Sequence, residues 1–496
     1  LVNASQNRED ISVRIACVSW VVGAIKKYFR QYGVVSNKID FFVVSETPPV
    51  VYRFYSWYQD REKTIKPRRV INLDRIKSSA RRMISRVMVS RSLLLFFVIS
   101  PFILIGAILF VIFKSAKFLV SQSLGRLTRV SARLPRLRKA LSIEDILRKM
   151  YSIVVDGEFR ELLTKAQKDD SIDCWFFPFP ANKYIQKLNK PSVVAVPDIV
   201  YFDFPSKFNT EIPELLKQHE LVINTIKKAS AVISYSEYVR QNHVVSKGLK
   251  GLSSTFVIRH SIINTRDYLT NDDSISVSDI RKSSIKIIND YNKKSFSEYV
   301  GTLPFGDFDY LFVSSQVRPH KNYINLLRAY SRLLRERYIN IKLIVTGRFS
   351  PDMQDFINEH HLNSDVLSVY GLPRRVHAAY YACATLSVAP TLFEGGFPGP
   401  FSESLSVGTP VLLSDIPVVR ELLPPEILSV ITFDPYNIDL MVEKIDWGIR
   451  NRNALFGIEN DFFLTLKKRT WNDVIQDYIN VFQCVSKKPD RDHSNL

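Results

Sequence analysis

Two glutamates, Glu394 and Glu403, bracket the run Gly395-Gly396-Phe397-Pro398-Gly399-Pro400-Phe401-Ser402. Glycines there let backbone N–H groups approach a ligand without interference from a Cβ. The apolar stretch Ala384 to Ala389 leads into the run as a strand, and Pro400 suits the first position of a helix. A helix begun there turns its unsatisfied N–H groups and the positive end of its dipole toward the loop, which favours a diphosphate. Glu394 before the loop and Glu403 one turn into the helix then face a ligand's hydroxyls. Carboxylates for hydroxyls, with N–H groups for phosphate, describe a site for a nucleotide sugar.

A second constellation lies upstream. The apolar strand Tyr310-Leu311-Phe312-Val313 runs into Ser314-Ser315-Gln316-Val317-Arg318-Pro319-His320-Lys321-Asn322, and an amphipathic helix follows over Ile324 to Leu334. Arg318 offers a bidentate fork and Lys321 a compact point charge, the two kinds of cation that a diphosphate leaving group can use.

Residues Glu394 to Pro410 resemble the signature of the family 4 retaining glycosyltransferases of GT-B fold, in which two glutamates flank a Gly/Pro loop and a small-Gly-x-Pro-Val strand follows. This chain has one residue more between its glutamates than the commoner spacing of that family. The resemblance implies that Glu394 contacts the donor sugar, that Glu403 contacts the nucleotide ribose, and that Gly395, Gly396, Phe397, Gly399 and Pro400 form the donor loop. It sets Arg318 and Lys321 against the donor phosphates. Further upstream, Trp175 to Pro180 and Pro191 to Pro205 are similar to the family's apolar strand that ends in His-Asp near the donor sugar. Pro197 stands where the histidine is usual; Asp198 keeps the acidic position, which the resemblance turns toward the acceptor or the sugar. Ser234 to Arg240 resembles the family's strand-to-helix turn, with Ser236 as N-cap. Arg240 is there either a solvated helix residue or acceptor-facing. The resemblance spans Asp173 to Val485.

The elements that must position these residues read as α/β. Strands are expected at Val13 to Ser19, Phe41 to Val44, Cys174 to Phe177, Val193 to Val196 and Ala231 to Ser234. Helices are expected around Ile25 to Phe29, over Glu214 to Lys228 and from about Ser236. A linker rich in Ser, Asn, Asp and Lys runs from Thr265 to Ser297. Further strands are expected at Tyr310, Ile341, Val366, Thr385, Val411 and Ile427, and a last helix around Trp471 to Val485. Alternation of this kind gives parallel sheets covered by helices. With the resemblance, it implies a GT-B architecture of two Rossmann-like domains facing a cleft. The first domain is expected over residues 1–300, the nucleotide-sugar domain over 301–469, and over 470–496 a helix that returns to the first domain, with a tail.

The net charge of +19 is concentrated in two blocks. Arg61 to Arg91 carries eleven basic residues against Glu62 and Asp74, and Lys114 to Lys139 carries eight against none. Between them Ser92 to Phe113 runs for twenty-two residues without a charge. As a straight helix it would reach about 33 Å, enough for a hydrocarbon core of about 30 Å. Basic flanks on both sides oppose a single crossing, and Pro101 and Gly106 interrupt the run. Residues 61–139 are therefore expected to form an insertion that enters the membrane from one face, a spanning helix and a buried soluble helix being the alternatives. Leu124, Leu127, Val130 and Leu134, interleaved with Arg126, Arg129 and Arg133, suit anionic headgroups.

Four scattered cysteines, Cys17, Cys174, Cys383 and Cys484, form no CxxC pair and point to a reducing compartment. No basic-then-apolar leader opens the chain, so no signal peptide is expected. Asp307-Phe308-Asp309 precedes the strand of the second domain, which disfavours it as a metal motif. The expected activity is retaining transfer of a sugar, mannose by family prevalence, from a nucleotide diphosphate donor to a lipid-linked or polysaccharide acceptor. No metal or other cofactor is expected. The expected place is the cytoplasmic face of a membrane, peripheral or monotopic, with an anionic lipid surface as partner. Nucleic acid is disfavoured because the charge brackets an apolar run with little aromatic interleaving. A catalytically silent membrane scaffold on the same fold is the alternative.

Overall fold

The computed structural model describes residues 2–5, 8–31, 34, 39–53, 55–56, 143–205, 212–296 and 298–486. The basic blocks and Ser92 to Phe113 lie outside them. Among the described residues no helix is long and apolar enough to cross a membrane. The chain divides into two compact units, one of residues 2–172 with 187–190 and one of residues 173–186 with 191–496.

The first unit holds the parallel pair β1 (Val13–Ala16) and β2 (Ile39–Phe42), the helix α1 (Val22–Gln31) and the long helix α2 (Ile143–Lys168). Aromatic stacking organises it. Trp20 lies on Tyr52 with ring centroids 4.4 Å apart, and Tyr55 lies on Tyr151 at 4.7 Å.

The second unit contains two parallel sheets. The four-stranded one runs β3 (Trp175–Phe177), β4 (Ser192–Val196), β5 (Ala231–Ser234), β6 (Thr255–Val257), with α3 (Ile212–Lys228) between β4 and β5. Every residue of β4 and β5 is buried, as strands covered on both faces require.

The Thr265 to Ser297 stretch is not a linker. It contains the nineteen-residue helix α4 (Val277–Ser295), N-capped by Ser276, whose side chain accepts from the Asp279 N–H. Its buried positions are Ile280, Ser284, Ile288 and Asn292. These recur every four residues and form one face, but only two are apolar, so the polar composition hid the period.

The six-stranded sheet has strands β7 (Tyr310–Val313), β8 (Lys342–Val345), β9 (Val366–Ser368), β10 (Leu386–Ala389), β11 (Val411–Ser414) and β12 (Thr432–Phe433) in the spatial order β12-β11-β10-β7-β8-β9. Its helices include α5 (Tyr323–Arg335), α6 (Pro351–Glu359), α7 (Arg374–Cys383) and α8 (Gly399–Leu405). The strand expected at Ile427 is instead a short helix, Pro425–Ile431, and the strand begins after it. Pro424 and Pro425 start that helix, fixing φ in the range a first turn needs. Gly408, at φ 83°, turns the chain from α8 toward β11 in a conformation that favours glycine. The last helix, α9 (Trp471–Ser486), packs on the four-stranded sheet, with Tyr478 edge-on to Phe176 at 5.5 Å.

Candidate active site

The order of the larger sheet dictates where a ligand can sit. From β7 the chain moves outward to β8 and β9; from β10 it moves the other way to β11 and β12. Loops leaving the carboxyl ends of β7 and β10 therefore part at the switch point, and open parallel sheets bind ligands in the crevice so formed. Both candidate segments leave those two strand ends. They are stitched together there: the Leu392 N–H donates to the His320 carbonyl at 2.8 Å, and the Lys321 ammonium pairs with the Glu394 carboxylate. Both side chains of this pair are mostly buried, 16% and 26% exposed.

The loop after β7 is built to hold Lys321. The Ser315 N–H donates to Thr346 Oγ1 at 2.9 Å, and the Tyr323 hydroxyl donates to the Ser315 carbonyl at 2.8 Å. Pro319–Lys321 forms a 3₁₀ turn, and Asn322 then takes a left-handed conformation at φ 58°. Asparagine tolerates that region better than most residues, and its amide is anchored on the Pro435 carbonyl at 2.7 Å. Arg318 is exposed, with its guanidinium donating to the Gln316 side chain. Burial, with Lys321 and Arg318 nearby, pushes the His320 imidazole down to about 4. Near neutral pH the loop thus adds no third cation.

The glycines after Glu394 also let two parts of the protein meet. A Cβ on Gly395 would collide with the Pro197 carbonyl after β4, and one on Gly396 would lie 3.2 Å from the Tyr235 Cβ after β5. Their absence lets the β10 loop meet the loops of the four-stranded sheet, where the Ser236 hydroxyl donates to the Gly395 carbonyl at 2.9 Å. Phe397 packs edge-on to Phe401 at 5.2 Å. Helix α8 begins one residue earlier than expected: Pro398 is its cap, Gly399 its first residue and Pro400 its second. Glu403 is partly buried, and the Tyr381 hydroxyl donates to its Oε2 at 2.8 Å. Burial raises its carboxyl above the ordinary range, against the lowering effect of that hydrogen bond.

Asp198 is exposed, and its Cβ would lie 3.0 Å from a Cβ on Gly395. The Pro197–Asp198 turn is fixed by a residue the sequence did not single out. His243 is buried in a π-helical turn, accepts from the Ile199 N–H on Nδ1 at 3.1 Å, and so donates from Nε2 to Asp203 at 2.8 Å. Its ring lies parallel to that of Phe393, centroids 5.5 Å apart. Arg240 pairs with Glu237. Glu421 was also missed. Its carboxylate accepts from the N–H groups of Glu237, at 2.9 Å, and of Tyr238, where the π-helical turn begins. Asp309 accepts from the Thr385 hydroxyl at 2.6 Å, bracing the start of β10. No spacing rule marks His243 or Glu421, because their partners are brought in by the tertiary fold.

Residues 301–457 match the family described as glycosyl transferases group 1. They form a group 1 glycosyltransferase domain. Among solved structures, the sucrose-phosphate synthase of Thermosynechococcus elongatus aligns with a TM-score of 0.50 at 14% identity, over 68% of this chain and 79% of that one. The HepE protein of Anabaena, solved with UDP and glucose, aligns at 0.47 and 16% identity, over 66% and 81%. A UDP-forming trehalose-phosphate synthase of Burkholderia xenovorans aligns at 0.46 and 11%, over 69% and 82%. No curated protein matches the chain. The fold is GT-B, and the chain is a glycosyltransferase. In this glycosyltransferase a cavity of about 540 Å³ opens beside Phe393, at the carboxyl ends of β10 to β12, with Asp203, Tyr238, Asp415, Arg420 and Tyr436 in its wall.

The close approach at Gly395 gives a direct test. Gly395→Ala should lower the unfolding free energy by about 1–3 kcal/mol, as overpacking against backbone does, and reduce turnover more than tenfold or so. Gly457→Ala, on a helix with nothing within 4 Å of the added Cβ, should leave both intact. Equal unfolding midpoints for Gly395→Ala and the parent would show that the two loops do not meet as described.

Proposed function

We propose that the enzyme transfers a sugar, mannose in the reading the resemblance favours, from a nucleotide diphosphate donor with retention of configuration. The observation that carries this reading is the meeting of Lys321 and Glu394 at the switch point, with Glu403 on the helix that follows the loop. Lys321 and Arg318 stabilise the negative charge that grows on the diphosphate as its bond to the sugar breaks, the kind of electrostatic effect that dominates such steps. Glu394 accepts from donor-sugar hydroxyls, and Glu403 from the ribose. The acceptor hydroxyl attacks from the face the diphosphate leaves, and its proton passes to the departing phosphate. Asp198 faces the acceptor. The cavity beside Phe393 supports an approach for a lipid-linked or polysaccharide acceptor, being of a size and mixed polarity that suit a sugar. No metal ion is invoked in this scheme, since the two cations carry the leaving-group charge.

Lys321→Ala should lower kcat by about 10²-fold or more with a smaller change in donor KM, because its charge matters most where negative charge develops. Unchanged kcat would remove Lys321 from the reaction. Glu403→Gln should weaken nucleoside diphosphate binding, since an amide has less acceptor capacity than a carboxylate. Calorimetric affinities equal to the parent's would overturn the ribose assignment.

The proposed place of action is the cytoplasmic membrane face, with residues 61–139 inserting from that side. The charge pattern motivates it: each basic residue near an anionic leaflet contributes about 1 kcal/mol and resists translocation. Single cysteines at Ser79 and Ser131, in a background without the native four, should both escape an impermeant thiol reagent in intact cells and both react after lysis. Labelling of just one in intact cells would mean that the apolar run spans the membrane.

A further inference from the structure

Helix α7 runs beneath both halves of the candidate site and touches each with a polar side chain. His377 and Tyr381, one turn apart, lie on its inner face. His377 Nε2 is 2.7 Å from the hydroxyl of Ser314, the first residue after β7 and the base of the loop that carries Arg318 and Lys321. The Tyr381 hydroxyl donates to Glu403 Oε2 at 2.8 Å, so one helix holds a side chain on each half of the site.

We propose that helix α7 positions both ends of the donor, Tyr381 by setting the Glu403 carboxylate for the nucleotide ribose and His377 by holding Ser314 at the base of the phosphate-facing loop, which makes both of them positioning residues. The inference rests on the ribose reading of Glu403 given above. Tyr381 is fully buried, with its ring edge-on to Phe312 at 4.8 Å and to His377 at 5.1 Å, so its hydroxyl cannot swing away from Glu403. With Oε2 held by the tyrosine, Oε1 is left to accept from a ribose hydroxyl. Ser314 belongs to the loop of the phosphate-facing cations, so the same helix fixes that loop relative to Glu403. A nucleoside diphosphate needs both distances at once. Burial pushes the His377 imidazole down to about 4, so the ring is neutral near neutral pH.

The neighbouring tyrosine supplies a matched control. Tyr380 is as deeply buried on the same helix, but its hydroxyl donates to Asn292 of α4, at 2.8 Å. Tyr380→Phe therefore removes an equivalent buried hydrogen bond on a different side of the helix.

The test uses the full chain and calorimetry. UDP, GDP, ADP and CDP are compared, and the tightest binder is then measured beside its 2′,3′-dideoxy counterpart. The parent should favour the ribonucleotide. Tyr381→Phe should lose that preference by about tenfold, through weaker ribonucleotide binding with the dideoxy affinity unchanged, as loss of a hydrogen bond to a charged group predicts. Tyr380→Phe should keep it. Ser314→Ala should instead weaken both nucleotides alike, by loosening the loop that faces the phosphates. If none of the four nucleotides binds, or the parent does not distinguish ribose from dideoxyribose, the ribose reading of Glu403 falls and the purpose of Tyr381 with it. If the parent distinguishes them, Glu403→Gln does not, and Tyr381→Phe still does, the ribose reading stands and the positioning role of Tyr381 is overturned. Equal losses for Tyr381→Phe and Tyr380→Phe would reduce Tyr381 to packing. Should Tyr381→Phe not fold, Ser314→Ala, which removes only one oxygen, is decisive: unchanged affinity for both nucleotides would overturn the positioning role of α7.

Discussion

Everything around the candidate site follows from two loops having to share one strand end. The carboxyl ends of β7 and β10 are neighbours in the sheet, yet their chains leave in opposite directions, so the loops would diverge unless something held them. The hold is local. The His320 carbonyl accepts from both the backbone and the side chain that precede Phe393, and Lys321 pairs with Glu394. A largely buried ion pair is not by itself a source of stability, because removing two charges from water offsets much of their attraction. Its value here is geometric. It places a cation and a carboxylate side by side where the crevice opens, at the position in which a diphosphate and a sugar hydroxyl would each want one of them.

The surroundings of that pair explain how a basic loop stays useful. His320 adjoins Lys321 in sequence and is buried, and a charged imidazole there would be repelled by Lys321 and Arg318 as well as poorly solvated. Its neutrality leaves the lysine as the compact charge at the strand end. Arg318 remains exposed on the same loop, and the polar contact of its guanidinium with Gln316 is a weaker commitment than an ion pair. The two cations are thus held differently, one fixed and one adjustable. Such an arrangement suits a ligand whose negative charge moves during the reaction.

Legibility in the sequence tracked how local each feature was. Glu394, Glu403, Arg318 and Lys321 could be singled out because a strand, a turn and a helix start lie within a few residues of each, and turn and helix chemistry is written in neighbouring positions. The glycines were visible, but one constraint on them was not. Gly395 and Gly396 meet Pro197 and Tyr235, which are more than 150 residues away in the chain, and no local pattern encodes that approach. Helix α4 was obscured for a related cause: two of its four deepest positions are Ser284 and Asn292, whose burial depends on α7 being present to receive them. At Pro425–Ile431 an apolar run of strand length folded as a helix, because consecutive prolines fixed its first turn.

The residues that were missed share one property, which is that they act on loops rather than on a ligand. His243 holds the turn bearing Asp198, and Glu421 caps the turn that begins at Glu237. Tyr381 holds Glu403, and Ser236, expected only as an N-cap, in addition holds the Gly395 carbonyl. Taken singly, each is an ordinary buried hydrogen bond, whose net stabilisation is about 1 kcal/mol. Taken together they fix the segments that follow β4, β5 and β10, which come from two different sheets. Pro197 fits the same logic. A side chain is usual there in the resembled family, whereas in this chain it is the backbone carbonyl of that residue that abuts Gly395. The position is a packing surface between the loops of the two sheets, so polar chemistry beside it rests on neighbouring side chains such as the exposed Asp198.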